Sequence, residues 1–216
     1  MTTSDSGPPR FPKGIAGAID GDLEPCWLCG RSVAARALFC HSCGAVQPPR
    51  PVDHFTRLGL EHRFDIEAEA LTRQHTGFSR ALDPERFAAR GARQQANARA
   101  QADALDEAYE TLRDPVHRAR YLLDLSGAPH PGGDAADDDE VAELSAQLDA
   151  AQDAAAIDRL ANDLGQRVES CIKYLAIAFR NGQTDNAARI LARLEQLEAL
   201  CAEARRRRAG PASKTP

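Results

Sequence analysis

Two short cysteine pairs, Cys26-Trp27-Leu28-Cys29 and Cys40-His41-Ser42-Cys43, constrain this chain more than any other feature. Two thiols three positions apart on a tight turn can aim both sulfurs at one ion. A second such turn completes the tetrahedron that Zn2+ prefers. Gly30 and Gly44 each follow the second cysteine of a pair. A glycine there lets the chain turn back with positive φ and points backbone N–H groups at the sulfurs. The reading is a closed, structural site formed by Cys26, Cys29, Cys40 and Cys43 and holding one Zn2+ per chain, with iron as the less favoured ion. Two disulfides are the alternative. They fit poorly with Cys171 and Cys201, which lie unpaired far along the sequence.

Leader-like features are also missing. Met1 to Pro25 has no apolar h-region and carries Asp5, Asp20, Asp22 and Glu24, which matches neither a secretory signal nor a transit peptide. The expected compartment is a reducing cytoplasm. No run of about eighteen apolar residues occurs, so no membrane partner is expected.

Apolar residues make up 43% of the chain but aromatics only 5%, so its cores must be built from Leu, Ala and Val. Long Ala/Leu/Glu/Arg/Gln stretches with few β-branched residues predict helices. The formal charge of −5 and pI near 5.7 argue against a general nucleic-acid binder. Of the 27 basic residues only Lys13, Lys173 and Lys214 are lysines, so the abundance of arginine as such carries no functional weight.

The punctuation of the chain sets out its modules. Residues 1–24 are rich in Gly, Pro and Ser and are expected to be disordered. Residues 25–47 are the tetracysteine module, and Gln47-Pro48-Pro49-Arg50-Pro51 is a stiff connector. Residues 52–126 read as four helical pieces, with Phe55, Leu58, Leu71, Phe78, Leu82 and Phe87 as apolar anchors. Ser126 to Asp137 is a second linker.

Residues 138–208 carry the clearest periodicity. Ile157, Leu160, Leu164, Val168, Cys171, Leu175 and Ala178 step by three or four, as do Ala187, Ile190, Leu194, Leu197 and Cys201. Leu144, Leu148 and Ala151 form a shorter stripe. Asn181-Gly182 is a helix stop. Three such helices make a small antiparallel bundle, with Cys171 and Cys201 as core residues. The basic run Arg205 to Arg208 reads as a solvated last turn favoured by the helix dipole.

The stretch Ala108 to Gly127, with Leu112-Arg113-Asp114-Pro115 and Tyr121-Leu122-Leu123, resembles the J-domain and following helix of the HscB family, the J-type co-chaperones of iron–sulfur cluster assembly. Asp53 to Leu71 is similar to the start of that domain. Pro25 to Pro49 is similar to the tetracysteine extension of eukaryotic-type members, and the bundle sits where the family has its scaffold-binding domain. The fold class expected is mainly α: a small tetracysteine zinc-knuckle module, a J-like helical domain and a C-terminal three-helix antiparallel bundle.

The resemblance implies an adaptor that does no chemistry of its own. A His-Pro-Asp loop between the second and third J-domain helices would meet a DnaK/HscA-type chaperone and stimulate its ATPase. The bundle would hold an IscU-type cluster scaffold.

The chain departs from that pattern where it matters. The loop reads Asp83-Pro84-Glu85, followed by Arg86-Phe87. A possible donor becomes an acceptor, and the second carboxylate moves out by one methylene. Asp at N-cap, Pro at N1 and Glu in the first turn also make a strong helix start. The helix before the loop offers Arg73 and Arg80 as chaperone contacts, but also carries Glu67 and Glu69. Gly77 sits inside it at a cost of roughly 1 kcal/mol against Ala, and His75, where the family commonly has an aromatic, reads as a partly buried filler. The scaffold-binding positions are Asp138, Asp139, Ala142, Glu143, Ala146, Ala150 and Gln196, of which only Glu143 keeps the family's character. Apolar anchors carry most interface energy, so this face is expected to bind weakly or to bind something else.

Three readings follow. The first is an HscB-type co-chaperone. The second is a pseudo-J adaptor with the same fold but no chaperone activation. The third, a nucleic-acid-binding zinc protein resting on the cysteine pairs and Arg86, Arg90, Arg93 and Arg99, is disfavoured by the acidic pI. An enzyme is not expected, because no nucleophile–base constellation or phosphate-binding Gly-rich loop is present and four thiolates leave no open metal position.

Overall fold

Between the glycine and proline breaks, the Ala-, Leu-, Glu-, Arg- and Gln-rich segments are helical in the computed structural model, which describes residues 23–128 and 139–209. The element order is β1 (Leu23–Pro25), β2 (Ser32–Ala34), α1 (His54–Leu58), α2 (Ala68–Ala81), a 3-10 helix (Pro84–Arg90), α3 (Ala92–Arg113), α4 (Pro115–Ser126), α5 (Asp139–Ala150), α6 (Ala154–Arg180) and α7 (Thr184–Ala209). Residues 1–22 of the stretch expected to be disordered lie outside the described residues. Its last two, Leu23 and Glu24, do not fit that expectation: they pair in β1 against Ala34 and Val33. A hairpin around the first cysteine turn needs strand residues on both sides of it.

The described residues form two compact units, one made of those up to Val52 together with Pro84–Gln101, the other of Asp53–Asp83 together with those from Ala102. In the first, Cys26, Val33, Cys40 and Ala45 form a small buried cluster with Trp27 and Ala37 packed against it. The connector is tied down rather than solvated. Gln47 is buried, and so is Arg50, whose guanidinium donates to the Val33 carbonyl (3.1 Å) and pairs with Glu24 (3.2 Å).

The second unit holds most of the core. Asp53 caps α1 by accepting from the Thr56 N–H at 2.9 Å, and Gly59 ends it with φ 67°. Phe55 and Leu58 on α1, Leu71 on α2 and Leu105, Ala108 and Leu112 on α3 are buried. His75 is half-buried as expected, stacked on Tyr109 at 4.3 Å between ring centroids and bonded to Asp106 at 2.6 Å. Asp114 caps α4, Pro115 opens it, and Gly127 closes it in the left-handed region.

The bundle is α5, α6 and α7. Leu164, Leu175, Leu194 and Leu197 are fully enclosed and Val168 on α6 is half-buried; Ile190 and Cys201 on α7 are also half-buried, because Ala188 and Leu191 turn its buried stripe slightly from the one read in the sequence. Asn181 ends α6 and Gly182 (φ 67°) turns the chain. Glu140 in the first turn of α5 is paired with both Arg167 of α6 and Arg193 of α7. Arg120 of α4 bonds Glu195 of α7 at 2.6 Å, and Phe64 stacks on Phe179 at 5.4 Å. The basic last turn is partnered: Arg206 and Arg207 bond Glu203, and Arg208 bonds Asp158. Among the described residues no helix is long and apolar enough to cross a membrane.

Candidate metal centre and interaction faces

The two cysteine turns are built on the same backbone frame. In the first, the Cys26 N–H donates to the Arg31 carbonyl (2.7 Å) and the Gly30 N–H to the Cys26 carbonyl (2.9 Å). In the second, the Cys40 N–H donates to Ala45 (2.8 Å) and the Gly44 N–H to Cys40 (2.8 Å). Flanking residues pair across each turn, Pro25 with Ser32 and Phe39 with Val46. Gly30 and Gly44 have φ of 75° and 70°, the left-handed backbone that other residues adopt only with strain.

The frame brings four sulfurs together. Cys26, Cys29, Cys40 and Cys43 offer Sγ atoms all within 4.8 Å of one another. The closest contacts cross from turn to turn: Cys26 to Cys43 at 3.8 Å and Cys29 to Cys40 at 3.7 Å. Four thiolates about 2.3 Å from a tetrahedral ion stand roughly 3.8 Å apart, so the spacing suits a metal. Taken as whole residues, Cys26 and Cys40 are buried and Cys29 and Cys43 exposed.

The electrostatics agree. At Cys26 burial opposes ionisation, but the N–H groups of Cys29 and Leu28 and the Gln47 amide outweigh it and bring the thiol down to about 6. At Cys40 the Cys43 N–H, against burial and with help from the Ser42 N–H, also lowers it. At Cys43 the Ala45 N–H favours the thiolate. Burial and the neighbouring sulfurs of Cys29, Cys40 and Cys26 prevail and push the thiol up to about 12. Four negative sulfurs at this spacing repel one another, and a bound cation is what lets all four ionise.

Sequence reasoning missed the polar side chains around this centre. Gln47 donates to Cys26 Sγ (3.4 Å) and to the Ala45 carbonyl (2.8 Å). Trp27 Nε1 donates to the Val46 carbonyl (2.7 Å), and Arg93 lies 4.3 Å over the Trp27 ring. From α3, Gln94 accepts from the Val46 N–H (2.8 Å), Asn97 donates to the Val46 carbonyl (3.0 Å) and Gln101 donates to the Gln47 carbonyl (3.0 Å). A spacing of three then four in an otherwise plain helix was the only available signal, and polar residues at that spacing ordinarily mark a solvated face.

The other candidate residues fall as follows. Asp83, Glu85 and Arg86 are exposed and Pro84 is half-buried. Pro84 does start a helix, but a seven-residue 3-10 one, broken from α3 by Gly91 at φ 96°. Arg73 and Arg80 are exposed on α2, with Arg73 paired to Glu69 at 3.4 Å. Asp139, Ala142, Glu143, Ala146 and Ala150 all point to solvent on α5, away from buried Leu144 and Leu148. Asp138 lies outside the described residues. Gln196 is half-buried on α7, with an Oε1 that has no hydrogen-bond partner among the described residues.

No family model matches the chain. It is similar to a co-chaperone protein HscB homolog of Paraburkholderia phymatum, at 32% identity over 159 residues, covering 69% of this chain and 90% of that protein. It is also similar to the iron-sulfur cluster co-chaperone protein HscB homolog of Arabidopsis thaliana, at 26% identity over 183 residues, covering 82% and 72%. The fold matches the crystal structure of human co-chaperone protein HscB with a TM-score of 0.75 at 22% identity, over 84% of this chain and 96% of that one. The helices, the bundle and the four-cysteine centre thus define a co-chaperone architecture of the J type. The chain belongs to the HscB co-chaperone family.

Proposed function

We propose that the protein is an adaptor of iron–sulfur cluster assembly that presents an IscU-type scaffold protein to a DnaK/HscA-type chaperone. Membership of the HscB family, across the J-like helices and the bundle alike, is the observation that carries this reading. In it, Asp83-Pro84-Glu85 with Arg86, and Arg73 and Arg80 of α2, meet the chaperone, while the exposed face of α5 and Gln196 meet the scaffold. The four cysteines hold one Zn2+, the metal favoured by four thiolates with no open position. That ion stabilises a module whose own core is only a few residues. The protein performs no chemistry itself and works in the cytoplasm.

A second reading is favoured by two observations. Exposed carboxylates stand at both outer positions of the loop, and the α5 face presents Asp, Ala and Glu without a large apolar anchor. These suit a pseudo-J adaptor that docks or regulates without activating a chaperone. Single-turnover ATP hydrolysis by the cognate chaperone, with and without the full-length protein, separates the two. Stimulation by the unmodified chain removes the second reading. Stimulation that appears only in the Asp83→His, Glu85→Asp variant removes the first.

A further inference from the structure

Three amides on α3 connect the metal centre to the segment that follows Pro84. Gln94, Asn97 and Gln101 lie on one face of the helix, with Ala98 fully buried between them. All three reach the backbone of two consecutive residues, Val46 and Gln47, immediately after the second cysteine turn. Val46 is paired with Phe39, and Phe39 stacks on Phe87 of the 3-10 helix with centroids 6.2 Å apart. Phe87 is buried, three residues after Pro84. On the other side, Gln47 reaches Cys26 Sγ itself. A continuous line of contacts therefore runs from a sulfur ligand through Gln47 and Val46 to both ends of the 84–101 segment.

This polar line is not what stability alone would select. Gln47 and Gln101 are almost wholly enclosed, and the Oε1 of each is buried with no hydrogen-bond partner among the described residues. An unpartnered buried acceptor is costly, whereas apolar side chains of similar volume would carry no such cost. What the amides supply is register: each contact is met only when residues 45–47 sit at one place along α3. Asn97 adds to the argument, since asparagine is a weaker helix former than alanine inside a long helix, and here its Nδ2 holds the Val46 carbonyl.

We propose that metal binding at the four cysteines positions the Pro84–Arg90 segment, with Gln94, Asn97 and Gln101 as the positioning residues. The functional consequence rests on the reading that this segment meets a chaperone; the coupling itself does not. With the ion present, the second cysteine turn fixes Val46 and Gln47, the three amides are satisfied, and Phe39 supports Phe87. Without it, the small cluster around Cys26 and Cys40 loses its organising centre. The amides lose their partners, and the 3-10 helix loses its aromatic support.

Hydrogen exchange on the full chain tests this, comparing protein loaded with Zn2+ with the same protein after chelation. Metal removal is expected to speed exchange in residues 84–101 on the order of tenfold or more, and to leave Leu164–Leu175 of α6 unchanged. Three substitutions separate register from packing. Gln94→Glu keeps the acceptor for the Val46 N–H, so the metal dependence should persist. Gln101→Glu loses the donor and sets a carboxylate against the Gln47 carbonyl, so exchange in 84–90 should be fast with or without Zn2+. Gln101→Leu, which retains bulk without the donor, should behave like Gln101→Glu and covers the case in which the charged variant folds poorly. Equal exchange in 84–101 with and without Zn2+ overturns the proposal, as does a Gln101→Leu variant with the full metal dependence of the parent. If the Zn2+-loaded chain fails to stimulate any chaperone while the exchange result holds, the functional reading falls and the coupling stands.

Discussion

Replacing Gln47 with leucine separates the tuning of the metal from the packing of the module. Gln47 is 1% exposed, donates to Cys26 Sγ at 3.4 Å and to the Ala45 carbonyl at 2.8 Å, and leaves Oε1 unpartnered among the described residues. Leucine removes both donors and also removes the unmet acceptor. A neutral hydrogen bond contributes about 1 kcal/mol, and relief of a buried unpaired acceptor returns about as much or more. The fold of the module should therefore change little while metal is bound. Outer partners of a metal ligand affect affinity more strongly, by about 10–100-fold, or roughly 1.4–2.7 kcal/mol. Zn2+ titration against a competing chromophoric chelator at fixed pH measures this, with a thermal melt of the metal-bound protein as control. Gln47→Leu should bind one ion at 10–100-fold lower affinity and melt close to the parent. Unchanged affinity would refute the argument that the N–H···S contact stabilises the Cys26 thiolate.

Two further outcomes follow from the second unit. Leu194→Ala, at a fully enclosed site in α7, should cost about 2–5 kcal/mol by cavity formation, read as a lowered denaturant midpoint; a loss below 1 kcal/mol would mean that α6 and α7 are not packed there as described. Asp53→Ala removes the α1 cap and should cost about 1 kcal/mol near neutral pH. Burial raises the Asp53 pKa, but the Thr56 hydroxyl and N–H, with His62, outweigh it and hold it below the ordinary carboxylate value. Its contribution is therefore complete above that ordinary value, about 4, and is lost as pH falls through the depressed native one. The stability gap between parent and variant should close on acidification, and a gap that widens would contradict the assignment.

Much of the helical plan was legible because its signals are local. The stop at Asn181-Gly182 acts within a few residues and was read directly, and the caps that the structure adds at Asp53, Gly59, Asp114 and Gly127 are equally local. The stripe on α6 could be read because one face of one helix repeats. The four cysteines were legible for a similar reason, since ligand type and spacing nearly specify the geometry. The partners of Val46 and Gln47 were not, because Gln94, Asn97 and Gln101 are separated from them by about fifty residues and look in sequence like any solvated helix face. The same blindness hid the burial of Arg50, a cation in a proline-rich connector that earns its place only through Val33 and Glu24.

The hairpin of α6 and α7 has a mechanical consequence. At 27 and 26 residues these helices are each about 40 Å long, while α5, at 12, covers roughly 18 Å of them. Towards its turn the hairpin is braced by the Phe64–Phe179 stack and Asp65 against Arg180, and Arg120 of α4 pairs with Glu195 further along α7. A strut anchored at both ends bends little. If a scaffold rests on the face of α5 and a chaperone meets α2, the two are held at a set distance by a solid body rather than by a tether. The local concentration each experiences of the other is then fixed by geometry, with none of the dilution that a flexible linker brings.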